Sequence, residues 1–505
     1  MIPASCDTTG TQSPDMTTST NTGRRATHAV WWSALEIGTR YGVQFGVTMV
    51  LARLLTPADF GLMAMLLVFT TFAALLVEGG LGTALVQKQA STDNDETSVF
   101  LVNLGAGCAL ALALWALAPG IARFYAQPAL SPLLQVLAWL LPLGALATVP
   151  NALLTQQLDF RRRAGAELLA SVGSGAVALW LAWRGHGVWS LAWQALVGAA
   201  LRAALLWWLS GWRPRGRYDR HAFAGLFRFG GYLLVANALS VGAMRLQSLL
   251  LGRLFDARTL GVYAMAQDTQ QAPAQLASAL LNRVGLPMFA SVADQPAKLA
   301  GALRLSLRLS MFVFAPCMAG LAVVAAPLVR LLYGPQWGDA APLLSLLALA
   351  ALFWPLHVLN LAALGALGRS DLILKLELAK AAVTIPLVAV ASPFGALPVA
   401  WAALAASLAS LWINTHHTHR LLECGLRVQL RDLRPVLLLA LAASASAWGA
   451  LALAGHAPWA LGLAIAAAVV TYALGAVMLR LQAWKDLLDF LRTLRSGTAP
   501  PPRKE

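Results

Sequence analysis

The sequence predicts an all-α polytopic membrane protein of about 14 transmembrane helices, with two pseudo-symmetric six-helix lobes (a parallel repeat) and two C-terminal helices. Three observations predict this class: the apolar composition, a succession of apolar segments long enough to cross a bilayer, and a motif that recurs 200 residues further along the chain. Together they place the protein within a lipid bilayer.

The composition excludes a soluble protein. Of the 505 residues, 58% are hydrophobic and only 12% are charged, and the mean hydropathy is +0.66. Soluble globular proteins carry about 25% charged residues, so this chain cannot cover a water-exposed surface and its solvent must be largely lipid. The 4 cysteines are far apart without a CxxC pair, which indicates neither a disulfide framework nor a zinc site. No nucleotide-binding or catalytic motif is found, so we expect no catalytic residue, no cofactor, no metal and no nucleic-acid partner.

Apolar segments define the helices in chain order. A bilayer core of about 30 Å requires about 20 apolar residues per helix. The eighth segment is the most polar, because it contains Asp268 and several glutamines, and it must therefore line protein or a watery cavity. The predicted spans are 31–55, 60–86, 98–118, 132–154, 166–183, 187–210, 229–254, 260–286, 305–332, 340–366, 372–392, 395–415, 433–455 and 457–480.

Basic residues predict the orientation. The net charge is +15. With a cytoplasmic N-terminus, about 25 Lys and Arg residues fall on the cytoplasmic side of the membrane and about 5 fall outside. This asymmetry predicts that both termini lie in the cytoplasm.

The spans and basic loops define the predicted organisation. The extramembrane segments are too short for a folded domain. The cluster of His416, His417 and His419 falls in a predicted cytoplasmic loop, where solvated histidines are more common than a metal site. The predicted units are a disordered cytoplasmic tail (1–29), an N-lobe of helices 1–6 (30–212), a basic cytoplasmic linker (213–228), a C-lobe of helices 7–12 (229–415), the cytoplasmic loop (416–432), helices 13 and 14 (433–480) and a basic cytoplasmic tail (481–505).

An internal repeat predicts the two lobes. Residues 51–65 read LARLLTPADFGLMAM and residues 251–265 read LGRLFDARTLGVYAM, with no gap at an offset of 200. Thr56 and Asp256 occupy equivalent positions and are both suited to cap the following helix. The identical pairs are Leu51/Leu251, Arg53/Arg253, Leu54/Leu254, Gly61/Gly261, Ala64/Ala264 and Met65/Met265.

A second similarity follows in the same order, between residues 132–138 and 342–348 at an offset of 210. Chance similarity between Leu- and Ala-rich helices is the alternative explanation. A repeat of six helices, an even number, gives both copies the same orientation, so they would be related by an axis along the membrane normal. Transporters built in this way bind substrate between the halves and rock between inward-open and outward-open states.

Charged residues within spans are expensive and are therefore candidates for function. Arg245 and Lys380 are the deepest cations, and a guanidinium matches phosphate oxygens well. Pairing with Asp268 or Glu377 is the structural alternative. The substrate-binding candidates are Arg40, Gln44, Arg202, Arg245, Gln247, Lys375 and Lys380, and the ion-coupling candidates are Glu36, Glu78, Asp268 and Glu377.

Two of these candidates belong to local patterns. Glu36 and Arg40 form a favourable i, i+4 pair on a stripe that continues through Gln44 and Thr48, although such a pair also serves helix packing alone. Glu78 precedes the run 79–82, whose three glycines predict a kink or a close helix contact.

Three sequence runs resemble a known family. LARLLTPADFG (51–61), EGGLGTALVQ (78–87) and LLTQQLDFRRR (153–163) are similar to segments of the bacterial lipid-linked oligosaccharide flippases. These are the Wzx-type polysaccharide transport branch of the multidrug/oligosaccharidyl-lipid/polysaccharide exporter superfamily. The resemblance covers roughly residues 30–480 and is strongest before residue 165.

The resemblance implies a function in lipopolysaccharide, O-antigen or exopolysaccharide biosynthesis. It implies movement of an undecaprenyl-diphosphate-linked glycan across the bacterial inner membrane, driven by a proton or sodium gradient, by two lobes around a cationic cavity. Membrane lipids and the polysaccharide polymerase machinery are further candidate partners, and helices 13 and 14 could form a groove for the lipid tail. Two other functions stay open: a multidrug or metabolite exporter of the same superfamily, and a membrane polysaccharide polymerase or glycosyltransferase.

Overall fold

The computed structural model describes residues 42–88, 91–157, 159–220, 234, 238, 241–242, 245–290, 292–455, 457 and 459–488. These residues form helices and the turns between them, with no strand among them. The helices are α1 (Gly42–Leu54), α2 (Pro57–Glu78), α3 (Leu81–Gln87), α4 (Asp93–Phe124), α5 (Leu130–Leu137), α6 (Leu140–Gln156), α7 (Phe160–Trp183), α8 (Val188–Ser210), α9 (245–254), α10 (Ala257–Ala290), α11 (Pro296–Tyr333), α12 (Ala340–Ala351), α13 (Trp354–Ala366), α14 (Ser370–Ala391), α15 (Ala396–Leu422), α16 (Leu426–Ala454), α17 (Ala460–Met478) and α18 (482–488).

The described helices confirm an all-α polytopic membrane protein. Ten spans among the described residues are long and apolar enough to cross a bilayer. Helices α10 and α14 are 34 and 22 residues long, but they are not among these ten because polar and charged side chains interrupt them. Helices α1 and α9 border residues outside the described part of the chain. The count of 14 therefore stays a prediction.

Prolines break two of the predicted spans. The span predicted at 132–154 is divided into α5 and α6, and the span predicted at 340–366 into α12 and α13. Pro142 and Pro355 lie in the first turn of the second helix of each pair. A proline ring clashes with the carbonyl four residues earlier and donates no hydrogen bond. This explains why the preceding helices end at Leu137 and Ala351.

Two glycines break a third predicted span, 60–86. Helix α2 ends at Glu78 and α3 begins at Leu81, and Gly79 and Gly80 between them adopt φ of 54° and 69°. Residues other than glycine are strained at such positive φ. The structure thus confirms the kink predicted at the glycine run after Glu78.

The repeated caps form as predicted. Thr56 and Asp59 hydrogen-bond reciprocally in a capping box at the start of α2. Asp256 Oδ1 accepts a hydrogen bond of 2.9 Å from the Thr259 backbone N–H at the start of α10. The hydrogen bonds from Thr259 hold the pKa of the Asp256 carboxyl below its usual range.

The repeated glycines lie against each other. A Cβ atom at Gly61 would overlap the carbonyl oxygen of Ala257, and a Cβ atom at Gly261 would overlap that of Pro57. Because Pro57 and Ala257 are themselves 200 residues apart, the crossing of α2 and α10 is reciprocal, as at a two-fold axis. Only glycine allows two helix backbones to approach so closely.

The second pair of similar segments shares one core. The members buried in a single hydrophobic cluster with each other are Leu133, Leu134, Leu137, Ala138, Leu343, Leu344 and Leu347. Burial of equivalent residues at the same centre explains why both copies keep leucine there.

The end of α1 is joined to the end of α11 and the turn that follows it. Arg53 donates through Nε to the carbonyl of Leu332 at 3.0 Å, and through Nη2 to that of Leu331. Gln336 and Trp337 donate to the carbonyl of Ala52 at 2.7 and 2.8 Å. These contacts join α1 to α11 on the side of the membrane predicted to be outside.

Arg253, the equivalent of Arg53 in the second copy of the motif, makes a similar contact. Arg253 lies over the ring of Phe124 at the end of α4, with 5.4 Å between Cζ and the ring centroid. Each repeated arginine therefore packs against the end of a long helix of the other half.

Two predicted loops have more structure than expected. The predicted loop 416–432 is largely helical, since α15 extends to Leu422 and α16 begins at Leu426. The three histidines consequently lie in the last turns of α15, with His416 against Trp412.

The described part of the predicted linker, 213–220, docks on the start of α4, where Gly216 and Asp219 donate backbone hydrogen bonds to Thr97 and Ser98. Polar side chains at the start of α4 accept these hydrogen bonds, which hydropathy does not reveal.

Candidate substrate cavity

A cavity of about 460 Å³ lies between helices of the predicted N-lobe and helices of the predicted C-lobe. Helices α1, α2, α7 and α8 form one side, and α9 and α10 form the other. Its apolar lining comes from α2, α7, α8 and α10, and its polar lining comes from α1, α7, α8, α9 and α10. The polar residues are Gln44, Thr48, Glu167, Ser171, Ser174, Gln194, Arg202, Arg245, Ser248, Gln267 and Asp268.

Arg245 of α9 and Asp268 of α10 line the same side of this cavity without forming an ion pair. Their charges are close enough to interact, yet among the described residues neither has a hydrogen bond or an ion-pair partner within 4.0 Å. Asp268 lies deep in the protein, but its side chain is exposed to the open space of the cavity. Both side chains are therefore free to meet a ligand.

Arg202 is held by a carboxylate. Its Nε lies 2.8 Å from Glu167 Oε1, and 42% of the Arg202 side chain remains exposed against 13% of Glu167. The pair joins α8 to α7 in the cavity wall. The guanidinium keeps free edges for a further acceptor.

A second cavity, of about 510 Å³, is lined by α2, α3, α6, α7 and α8 of the predicted N-lobe. Arg202 lines both cavities, so they are neighbours. Glu78 and Arg163 also line this second cavity, and Arg163 donates to Thr155 Oγ1 at 3.4 Å. The Oδ1 atom of Asn151 is buried there without a hydrogen-bond partner.

Four candidates predicted from the sequence lie elsewhere. Gln247 accepts a hydrogen bond of 2.6 Å from Tyr263. Lys380 donates to Glu377 at 2.5 Å within α14, which is the structural alternative weighed for this cation. Gln247, Lys380, Glu377 and Lys375 line neither of the two cavities. Glu36 and Arg40 fall outside the described residues.

Two polar residues were missed by sequence reasoning. Glu167 begins a predicted span, where a charge reads as an interfacial residue, and nothing in the sequence connects it to Arg202. His357 lies in α13 and hydrogen-bonds Asn414 at 2.9 Å, with Ser407 at 3.5 Å. A single histidine in an apolar span was the available signal for it.

Comparisons with known proteins agree on one class. Residues 50–342 match the family described as "Polysaccharide biosynthesis protein". The succinoglycan biosynthesis transport protein ExoT of Rhizobium meliloti is 29% identical over 333 residues, which cover 66% of this chain and 67% of that protein. The lipopolysaccharide biosynthesis protein WzxC of Escherichia coli is 26% identical over 64% of this chain and 66% of its own length. The matched parts thus span about two thirds of these relatives.

Solved structures show the same fold. The lipid II flippase MurJ, in an inward closed conformation, superimposes with a TM-score of 0.72 at 12% identity, covering 90% of this chain and 99% of that structure. An inward-facing multidrug transporter of the MATE family gives a TM-score of 0.59 at 15% identity, covering 76% of this chain and 95% of that structure. At these identities the likeness concerns the fold alone.

Proposed function

Because the chain belongs to the polysaccharide biosynthesis protein family, we propose that it flips an undecaprenyl-diphosphate-linked oligosaccharide from the inner to the outer leaflet of the bacterial inner membrane. The family match and the relatives confirm the resemblance drawn from the sequence runs. They also make the chain a membrane transporter of polysaccharide biosynthesis rather than an enzyme. The polymerase and glycosyltransferase alternative is thereby set aside.

One observation carries the proposal: Arg245 faces the cavity between the predicted lobes without an ion-pair partner among the described residues. A diphosphate offers several anionic oxygens to a guanidinium. Hydrogen bonds between these charged groups are stronger than hydrogen bonds between neutral groups, and their geometries match. The half-exposed edge of Arg202 in the same cavity would add a second cation.

Alternating access is supported by where the repeats meet. The reciprocal contact of Gly61 with Ala257, together with the hydrogen bonds of Arg53 and Trp337, joins the repeats on the side predicted to be outside. We infer that this side is closed and that the cavity receives its substrate from the cytoplasmic leaflet. Opening would require these contacts to separate.

Asp268 is the candidate for coupling to a proton or sodium gradient. It is the carboxylate of this cavity that has no ion-pair partner among the described residues, whereas Glu167 is engaged by Arg202. A carboxylate next to the substrate cation could exchange an ion as the substrate leaves. The polymerase machinery remains a candidate partner by analogy with pathways of polysaccharide assembly.

Complementation tests the proposal. We expect this chain to restore surface polysaccharide to a strain that lacks its own flippase, and we expect Arg245→Gln to abolish the restoration at normal expression. Arg330→Gln is the matched control, since Arg330 is exposed and lines neither cavity. Restoration by Arg245→Gln at the wild-type level would contradict the proposed role of this cation.

A drug exporter remains the second candidate because of one observation. The described ionic groups of the cavity are two guanidiniums and two carboxylates, Arg202 and Arg245 with Glu167 and Asp268, so the cavity is less basic than the sequence predicts. An acidic group could accept a cationic drug. If the chain confers drug resistance and restores no polysaccharide, this second function is correct.

A further inference from the structure

An apolar groove of about 370 Å³ runs between α2, α4 and α9. Phe69 and Phe72 of α2, Leu114 and Leu117 of α4, and Gly242 just before α9 contribute to its lining. Phe72 is 41% exposed and Leu117 is 58% exposed, so the groove opens onto the outside of the helix bundle, where the bilayer lies.

Arg245 connects this groove to the polar cavity. It lines both of them, and it is the charged residue among the described lining residues of the groove. The protein thus presents an apolar channel from the lipid to a guanidinium, with a polar cavity beyond. This order of surfaces matches a molecule with an apolar tail, an anionic headgroup and a polar sugar.

We propose that the groove between α2, α4 and α9 holds the first isoprene units of the lipid tail while the diphosphate lies at Arg245. The inference rests on the proposed function and adds a binding subsite to it. A tail held in a lateral groove stays in contact with the bilayer, so the headgroup crosses the protein without the tail leaving an apolar environment.

The resemblance to flippases implied a different groove, at predicted helices 13 and 14, which are α16 and α17. The sequence of α17 contains no charged residue, and no residue of either helix lines the polar cavity. Arg427, Arg431 and Arg434 lie in the first three turns of α16 and line neither of the two polar cavities. Continuity with Arg245 therefore favours the groove between α2, α4 and α9.

Three glycines allow a matched experiment. A Cβ atom at Gly242 meets nothing within 4 Å, and the same holds for Gly462 in α17 and Gly105 in α4. The first side-chain atom therefore has room at each of the three positions, which makes the three substitutions comparable. Gly242→Phe fills the proposed groove, Gly462→Phe tests the alternative groove, and Gly105→Phe controls for a bulky residue elsewhere on the bundle.

Binding is measured with the purified full-length protein in detergent, using undecaprenyl diphosphate and inorganic diphosphate as probes. We expect Gly242→Phe to weaken binding of undecaprenyl diphosphate at least tenfold, with binding of inorganic diphosphate within twofold of the wild type. Gly462→Phe and Gly105→Phe should bind both probes like the wild type.

The outcomes separate this inference from the proposed function. Wild-type protein that does not bind undecaprenyl diphosphate would contradict the proposed function itself. Wild-type binding that persists unchanged in Gly242→Phe would overturn the groove alone. Weakening by Gly462→Phe instead, or equal weakening of both probes by Gly242→Phe, would also overturn it.

Discussion

At the scale of single residues, the cavity divides the polar candidates by partner. Arg245 and Asp268 face open space, Arg202 is held by Glu167, and Lys380 is neutralised within its own helix by Glu377. An intrahelical pair three residues apart satisfies this partly buried ammonium without any substrate. Depth in the membrane alone therefore does not identify a functional cation.

Arg245→Ala should weaken diphosphate binding about tenfold to a hundredfold, since a hydrogen bond to a charged group contributes about 1.5–3 kcal/mol. The measurement is titration of purified protein with inorganic diphosphate. Lys380→Ala is the informative comparison, because Lys380 pairs with Glu377 and lines neither cavity. Equal losses in both variants would mean that the cavity does not define the anion site.

Asp268→Asn should uncouple transport from a proton or sodium gradient, because an amide takes up no proton and lacks the negative charge that attracts sodium. We expect gradient-driven transport in proteoliposomes to fall at least tenfold while undecaprenyl diphosphate still binds. Asp339→Asn serves as the control, since Asp339 is 73% exposed and pairs with Arg258 at 3.3 Å away from the cavity. Gradient-driven transport that survives in Asp268→Asn would assign coupling to another group.

At the scale of helices, proline and glycine decide where spans are interrupted. Pro142 and Pro355 end the preceding helices, and Gly79 with Gly80 separates α2 from α3. Glu78 and α3 lie beside the second cavity. The break after Glu78 therefore contributes to the wall of this cavity.

Gly80→Ala should destabilise the protein by about 1–2 kcal/mol, since an L-residue at this left-handed φ is strained. Thermal unfolding in detergent measures the change. Gly120→Ala in α4 is the control, because a Cβ atom there meets nothing within 4 Å and alanine favours a helix. A Gly80→Ala variant as stable as Gly120→Ala would show that the turn relaxes.

At the scale of the whole molecule, the two repeats meet through equivalent parts. Gly61 packs on Ala257 while Gly261 packs on Pro57, and Arg53 and Arg253 each reach the end of a helix from the other half. A reciprocal contact of this kind can separate as one unit, which suits a transporter that opens on one side at a time.

Gly61→Ala should open the predicted outer side, because the added methyl overlaps the Ala257 carbonyl. We expect Ala195→Cys, in the cavity wall, to react severalfold faster with a membrane-impermeant maleimide added outside. The background must lack the native cysteines, since Cys108 and Cys317 are exposed. Gly261→Ala should act similarly, and Gly46→Ala, with open space around it, should not. Unchanged labelling in both repeat variants would argue against closure at this crossing.

Much of the fold was predictable because its signals are local. Hydropathy depends on neighbouring residues, so the apolar spans were found in order, and the motif at 51–65 and 251–265 was visible without any structure. Helix breaks were less predictable, since only the glycine run after Glu78 was recognised and Pro142 and Pro355 were not.

The sequence by itself determined that this chain lies in a membrane, repeats itself and belongs with polysaccharide transporters. Only the tertiary structure decided which polar groups meet. Glu167 and Arg202 are 35 residues apart and become partners because α7 packs on α8. Arg245 lies between the cavity and the groove because α9 packs beside α2 and α4. Contacts of this kind depend on how the helices pack against each other, and the sequence of one helix does not specify that packing.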